Sequence, residues 1–97
     1  GIGEKFMEHL RVLDGKLGEP GTELGVLDVK NYTDYMPESN VILYELNGLD
    51  WIAFRPSGTE PKFKIYFGFY GTESAAESRL DRISKAVVAE INKYKEN

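Results

Sequence analysis

The sequence predicts an α+β domain, a four-stranded antiparallel sheet with helices packed on one of its faces. Three observations carry this. Apolar residues recur at helical spacing near both ends of the chain. Four short runs of strand character lie between them, and an Asn-Gly pair joins two of those runs as a hairpin. An antiparallel sheet needs only one face covered, so two helices on that face give the simplest two-layer core.

Residues 4–13 place Phe6, Met7, Leu10 and Leu13 on one side of a short amphipathic helix, with Glu4, Glu8 and Arg11 elsewhere on the cylinder. Residues 14–25 contain Gly15, Gly18, Pro20, Gly21 and Gly25 and predict a loop. Strand character begins near Gly25 and runs through Val26, Leu27, Val29 and Tyr32. A polar connection with Pro37, Ser39 and Asn40 follows.

Residues 41–46 read as a strand and 51–55 as its return. Between them, Asn47 and Gly48 both tolerate the positive φ of a type I′ turn, which Leu49 and Asp50 would lengthen. Residues 62–70 form the longest strand candidate. Phe63, Ile65, Phe67 and Phe69 point one way, and Lys62, Lys64, Tyr66 and Tyr70 the other. Ser74 and Glu77 have the spacing of a capping box at a helix start. Behind them Leu80, Ile83, Val87, Ile91 and Tyr94 form an apolar stripe.

The 97 residues fit one domain, with 1–25 a helix and loop leading in and 26–97 the core. The chain begins Gly1-Ile2-Gly3 without Met, which favours a domain cut from a longer protein. With no cysteine, neither a disulfide framework nor a thiolate metal site is expected. A net charge of −4 argues against nucleic acid as a partner, because that binding neutralises many phosphates with a basic surface. No apolar run approaches the ~20 residues of a membrane span, and no signal-peptide core is present. The expectation is a cytoplasmic protein without a membrane partner.

Chemistry concentrates in Arg55-Pro56-Ser57-Gly58-Thr59-Glu60-Pro61-Lys62. Two prolines bracket four residues and restrict the backbone on both sides. Between them Ser57 and Thr59 supply hydroxyls, and Gly58 lets successive N–H groups converge on an anion. Arg55 brings a planar fork suited to two phosphate oxygens, and Lys62 and Lys64 add point charges. The sum is a phosphate cup without a catalytic group. No Walker-type glycine run, Asp-x-Asp cluster or partner set for His9 points to kinase, magnesium, triad or zinc chemistry.

On the residues alone a plain polar turn competes with the phosphate cup, and Arg55 competes as a surface cation paired with Glu45. Trp51 and the Phe63, Ile65, Phe67 and Phe69 row read as packing rather than as a sugar platform. Glu60 reads as a loop-stabilising acceptor, and Tyr66, on the lysine side, as a residue bordering the site. Arg79, Asp81, Arg82, Lys85, Glu90 and Lys93 read as a solvated helix face.

The string from Arg55 to Lys62, continued by Phe63-Lys64-Ile65-Tyr66-Phe67, resembles the C-terminal signature of the alpha-D-phosphohexomutase family, which includes phosphoglucomutases and phosphomannomutases. The run from Val41 to Leu46, Asn47-Gly48 and Trp51-Ile52-Ala53-Phe54 resemble the hairpin that leads into that signature. Val29-Lys30-Asn31-Tyr32 resembles a Val-x-Asp-Tyr segment with Asn31 in place of Asp. The resemblance is strong over 26–71 and weaker in the helices.

This resemblance implies a fold like that of TATA-box-binding protein. It also implies a four-domain parent that interconverts hexose 1-phosphates and 6-phosphates through a phosphoserine and a bound magnesium ion. The reactive serine, the metal ligands and the main sugar loop belong to the other three domains, so this chain would hold no cofactor and catalyse nothing alone. By position, Arg55, Ser57, Gly58 and Thr59 would grip the phosphate that is not reacting, with Lys64 assisting. The implied partners are a hexose phosphate or bisphosphate and the remaining domains of the parent. A stand-alone phosphosugar-binding regulatory module is the alternative.

Overall fold

A computed structural model describes residues 2–56 and 63–94. Its elements are α1 (Ile2–Leu13), β1 (Val29–Asp34), β2 (Ile42–Leu46), β3 (Trp51–Pro56), β4 (Phe63–Gly68) and α2 (Glu73–Asn92). The four strands form one antiparallel meander in the order β1-β2-β3-β4. The predicted class and strand count hold.

Both helices contribute to a core on one face of this sheet. Ile42, Tyr44 and Leu46 of β2 and Ile52 and Phe54 of β3 are buried there with Phe6, Met7 and Leu10 of α1 and Ile83, Val87 and Ile91 of α2. Phe63, Ile65 and Phe67 of β4 pack against the same cluster, as the alternation of that strand requires. Leu17 and Leu24, from the connection between α1 and β1, are buried in it too.

Several boundaries differ from the sequence reading, each for a local reason. The first strand starts at Val29 rather than near Gly25, because residues 19–27 close on themselves. The Thr22 hydroxyl donates to the Glu19 carbonyl and accepts from the Gly25 amide, and Val26 N–H donates to the Thr22 carbonyl. The β2–β3 connection is closed by Leu46 N–H donating to the Asp50 carbonyl. Only Gly48 takes a positive φ there (71°), so the turn is longer than a two-residue type I′ turn.

The start of α2 is also corrected. Thr72, not Ser74, is the N-cap, with extended φ and ψ of −65° and 149°, and its carbonyl accepts the first helical bond from Ala76. Its side chain makes no capping bond. Gly71, at φ 124°, turns the chain into the helix two residues before the predicted box would have. Ser74 and Glu77 therefore lie inside the helix.

Two arginines pin the helices to the sheet. Arg11 donates from Nε and Nη2 to both carboxylate oxygens of Asp34 (2.8 and 3.1 Å) and from Nη2 to Asn40 Oδ1 (2.8 Å). Arg79 donates bidentately to Asp50 (3.1 Å each) and to the Tyr70 carbonyl (2.6 Å), with its guanidinium 5.8 Å from the Phe69 ring centroid. Arg79 is thus a tether rather than part of a solvated face, and Lys85 pairs with Asp81 one turn away.

The Arg11 clamp has a pH signature. Its hydrogen bonds hold the Asp34 carboxyl below the ordinary carboxylate range, assisted by the Met36 amide and opposed by partial burial. A folded-state pKa below the unfolded value of about 3.9 contributes stability that is complete above that value and disappears as pH falls through the folded pKa. Asp34→Asn should therefore cost about 1 kcal/mol at pH 7, discounted for the partial exposure of the pair. That difference should shrink to nothing as the pH falls from about 5 toward 2. Urea denaturation of both proteins across this range checks it; a pH-independent difference would show that the clamp is not ionic.

Candidate functional site

The site is built on the β3–β4 hairpin. The register pairs Ala53 with Tyr66, Phe54 with Ile65, Arg55 with Lys64 and Pro56 with Phe63. Alternation sends Phe54 and Phe63 into the core and leaves Arg55 and Lys64 side by side on the outer face. Cβ atoms of directly opposed residues lie about 4.5–5.5 Å apart. Ser57, Gly58 and Thr59, together with Glu60, Pro61 and Lys62, lie outside the described residues.

The hairpin base is braced from beneath. Phe6 packs edge-on against Phe54 and Phe63, each with centroids 5.6 Å away, and Phe54 and Phe63 meet at 6.1 Å. A Cβ on Gly3 would come within 3.0 Å of Pro56 Cβ and 3.2 Å of Phe63 Cδ2, so the first turn of α1 rests directly on the two residues that end β3 and begin β4. Both cations are therefore carried by paired strands that are packed from beneath.

Their charge is uncompensated among the described residues. Arg55 and Lys64 are exposed, and neither takes part in the ion pairs Arg11–Asp34, Arg79–Asp50, Arg82–Glu23, Lys85–Asp81 and Lys93–Glu90. The competing Arg55–Glu45 pair is not formed. Glu45 stands opposite Trp51, at the far end of the hairpin from Arg55, and its carboxylate accepts from Asn31 Nδ2 at 2.9 Å. An aspartate in place of Asn31 would set two carboxylates against each other there. Like charges placed directly across a strand pair are mutually unfavourable. Arg55 and Lys64 are such a pair, and an anion held between these two cations turns the repulsion into attraction.

The outer face continues away from the cations. Ala53 and Tyr66 form the next pair and Trp51 and Gly68 the one after. Trp51 lies down across Gly68, since a Cβ there would overlap its Nε1 and Cε2 and sit 2.8 Å from its Cδ1. The sequence reading treated Trp51 as packing, and its placement on this face depends on Gly68, which an alternation count passes over. On its other side Trp51 lines a cleft of about 710 Å³ with Leu43, Glu45, Leu49 and Lys30. Among the described residues no group of three His, Cys, Asp or Glu side chains is placed to hold a metal ion. Nor is any helix there long and apolar enough to cross a membrane.

Comparison with known proteins finds two relatives. A phosphomannomutase of Mycoplasma pneumoniae is 48% identical over 42 residues, which are 43% of this chain and 7% of that protein. A phosphomannomutase of Mycoplasmoides pirum is 53% identical over 34 residues, 35% of this chain and 6% of the relative. The matched stretches thus span less than a tenth of either relative, as a small part of a phosphohexomutase would. No protein-family model and no solved structure matches the chain.

Proposed function

We propose that this chain is the phosphate-gripping C-terminal domain of a phosphohexomutase, holding the phosphate of a phosphosugar that is not undergoing transfer. The observation that carries the proposal is the Arg55–Lys64 pair, two cations fixed opposite one another with no carboxylate partner among the described residues, at the two ends of the Ser-Gly-Thr segment. The similarity to phosphomannomutases supplies the substrate class, a hexose phosphate or bisphosphate.

Arg55 offers a planar fork to two phosphate oxygens, and Lys64 offers a point charge from the neighbouring strand. Ser57, Gly58 and Thr59 add hydroxyl and amide donors in this reading. Gripping the remote phosphate converts its binding energy into orientation at the reacting end. A site shaped for phosphate rather than for a sugar accepts the ester at either end of the hexose, which an isomerisation between 1- and 6-phosphates requires. The phosphoserine and magnesium of such a reaction are assigned to other domains of the parent, whose closure against this one would exclude water.

Titration of the chain with inorganic phosphate, followed by backbone amide shifts, tests the reading. Shifts should concentrate at 55–64. Arg55→Ala should weaken binding about tenfold to a hundredfold, the effect of losing charge-assisted hydrogen bonds worth about 1.5–3 kcal/mol. Arg55→Lys should recover part of the loss. Shifts confined to other regions, or an Arg55→Ala chain that binds as the unsubstituted chain does, would sink the proposal.

A further inference from the structure

The outer face of β3 and β4 is ordered along its length in a way that the phosphate grip does not need. From the hairpin loop inward it presents the cation pair, then Ala53 beside Tyr66, then Trp51 laid flat over Gly68. Each row lies about 6.5–7 Å from the last, two residues along a strand. Tyr66 is 44% exposed, so its ring stands open to solvent on the face of the sheet opposite the core. Ala53 opposite it leaves the space over that row open, and the missing side chain at Gly68 lets the indole lie down as a floor instead of standing as a barrier.

We infer that this strip is a sugar platform, with Tyr66 and Trp51 bearing the hexose ring of the phosphosugar whose phosphate lies between Arg55 and Lys64. The inference rests on the phosphate reading proposed above. An ester linkage is only a few bonds long, so a ring attached to a phosphate held at the first row lies against the second, beside Tyr66 and above Ala53. Its far edge reaches toward the indole. The apolar C–H faces of a hexose pack on aromatic rings while its hydroxyls remain in water, and an open strip suits a ring that presents either end. Tyr66 is thereby a specificity-determining residue, favouring a phosphate that carries a sugar over one that does not.

The test compares inorganic phosphate with mannose 6-phosphate on the full chain. Tyr66→Ala should weaken mannose 6-phosphate about fivefold to tenfold, as expected for one lost ring contact, and leave inorganic phosphate unchanged. Tyr66→Phe should retain the sugar preference. Trp51 is the only tryptophan in the chain, so its emission should change with mannose 6-phosphate and not with inorganic phosphate. Gly68→Ala, which lifts the indole off the strand, should abolish that signal.

The platform is overturned if Tyr66→Ala leaves both affinities unchanged or weakens both equally. It is also overturned if the two ligands perturb Trp51 alike. Such results leave the grip standing as long as Arg55→Ala still weakens inorganic phosphate. If inorganic phosphate ignores Arg55, the grip and the platform fall together.

Discussion

Phe6→Ala should destabilise the chain by about 3–5 kcal/mol, the range for truncating a fully buried aromatic residue. Phe6 is 0% exposed and contacts three rings distant in sequence, Phe54 on β3, Phe63 on β4 and Tyr94 just beyond α2. No single neighbour is placed to fill the void, because Phe54 and Phe63 are fixed by their strands and Tyr94 by the end of α2. Small domains have only about 5–15 kcal/mol of stability in total, so the variant should be substantially closer to unfolding at room temperature. Urea denaturation should show the midpoint falling with little change in slope. Phe6→Leu should cost far less, about 1–1.5 kcal/mol, since it keeps most of the volume.

Function should follow packing in this variant. Phe6 supports Phe54 and Phe63, the neighbours in sequence of Arg55 and Lys64, so the cavity lies directly under the cation pair. Phosphate affinity of the folded Phe6→Ala chain should fall even though no cation is altered. A loss of stability under 1 kcal/mol would mean that α1 is not docked on the hairpin.

Much of this arrangement was legible in the sequence wherever side-chain periodicity alone decides it. The alternation of Phe63, Ile65 and Phe67 against Lys64 and Tyr66 assigns the faces of β4 without reference to any other element. The stripe of Ile83, Val87 and Ile91 likewise assigns the buried side of α2. Arg55 and Lys64 flank one loop in the sequence itself. That they stand opposite one another depends on hairpin register, a pairing between strands that the composition of neither strand encodes.

What stayed illegible was set by contacts distant in sequence. Arg79 looks like any exposed helix cation, and its role as a tether exists only because the β2–β3 turn delivers Asp50 to it. Trp51 reads as core until Gly68, 17 positions further along, is seen to lie beneath it. At the start of α2, Ser74 and Glu77 fit a local capping rule, whereas Gly71 and Thr72 turn the chain two residues earlier. The residues before β1 looked like a mere lead-in because glycines dominate them. Among those glycines, Leu17 and Leu24 are nonetheless buried.

Gly25→Ala probes that last segment and should cost about 3 kcal/mol or more. A Cβ on Gly25 would overlap the Glu19 carbonyl oxygen and lie 2.7 Å from its carbonyl carbon. Both are backbone atoms, so no rotamer change relieves the clash and the turn must open. Opening it endangers the Thr22 bonds to Glu19 and Gly25 and the Val26–Thr22 bond, each worth about 1 kcal/mol net. It also loosens Leu24, whose burial contributes roughly 1.5–3 kcal/mol. Gly21→Ala is the control. Gly21 has φ of 85° with open space around it, so the substitution meets only backbone strain of about 1 kcal/mol. Gly25 acts through the turn and the core, far from the hairpin loop in sequence and in the connection leading into β1, the edge strand opposite β4. The folded fraction of Gly25→Ala should therefore bind inorganic phosphate with unchanged affinity, in contrast to Phe6→Ala. Equal costs for the two glycine variants would show that the turn tolerates reopening and that Leu24 does not depend on it.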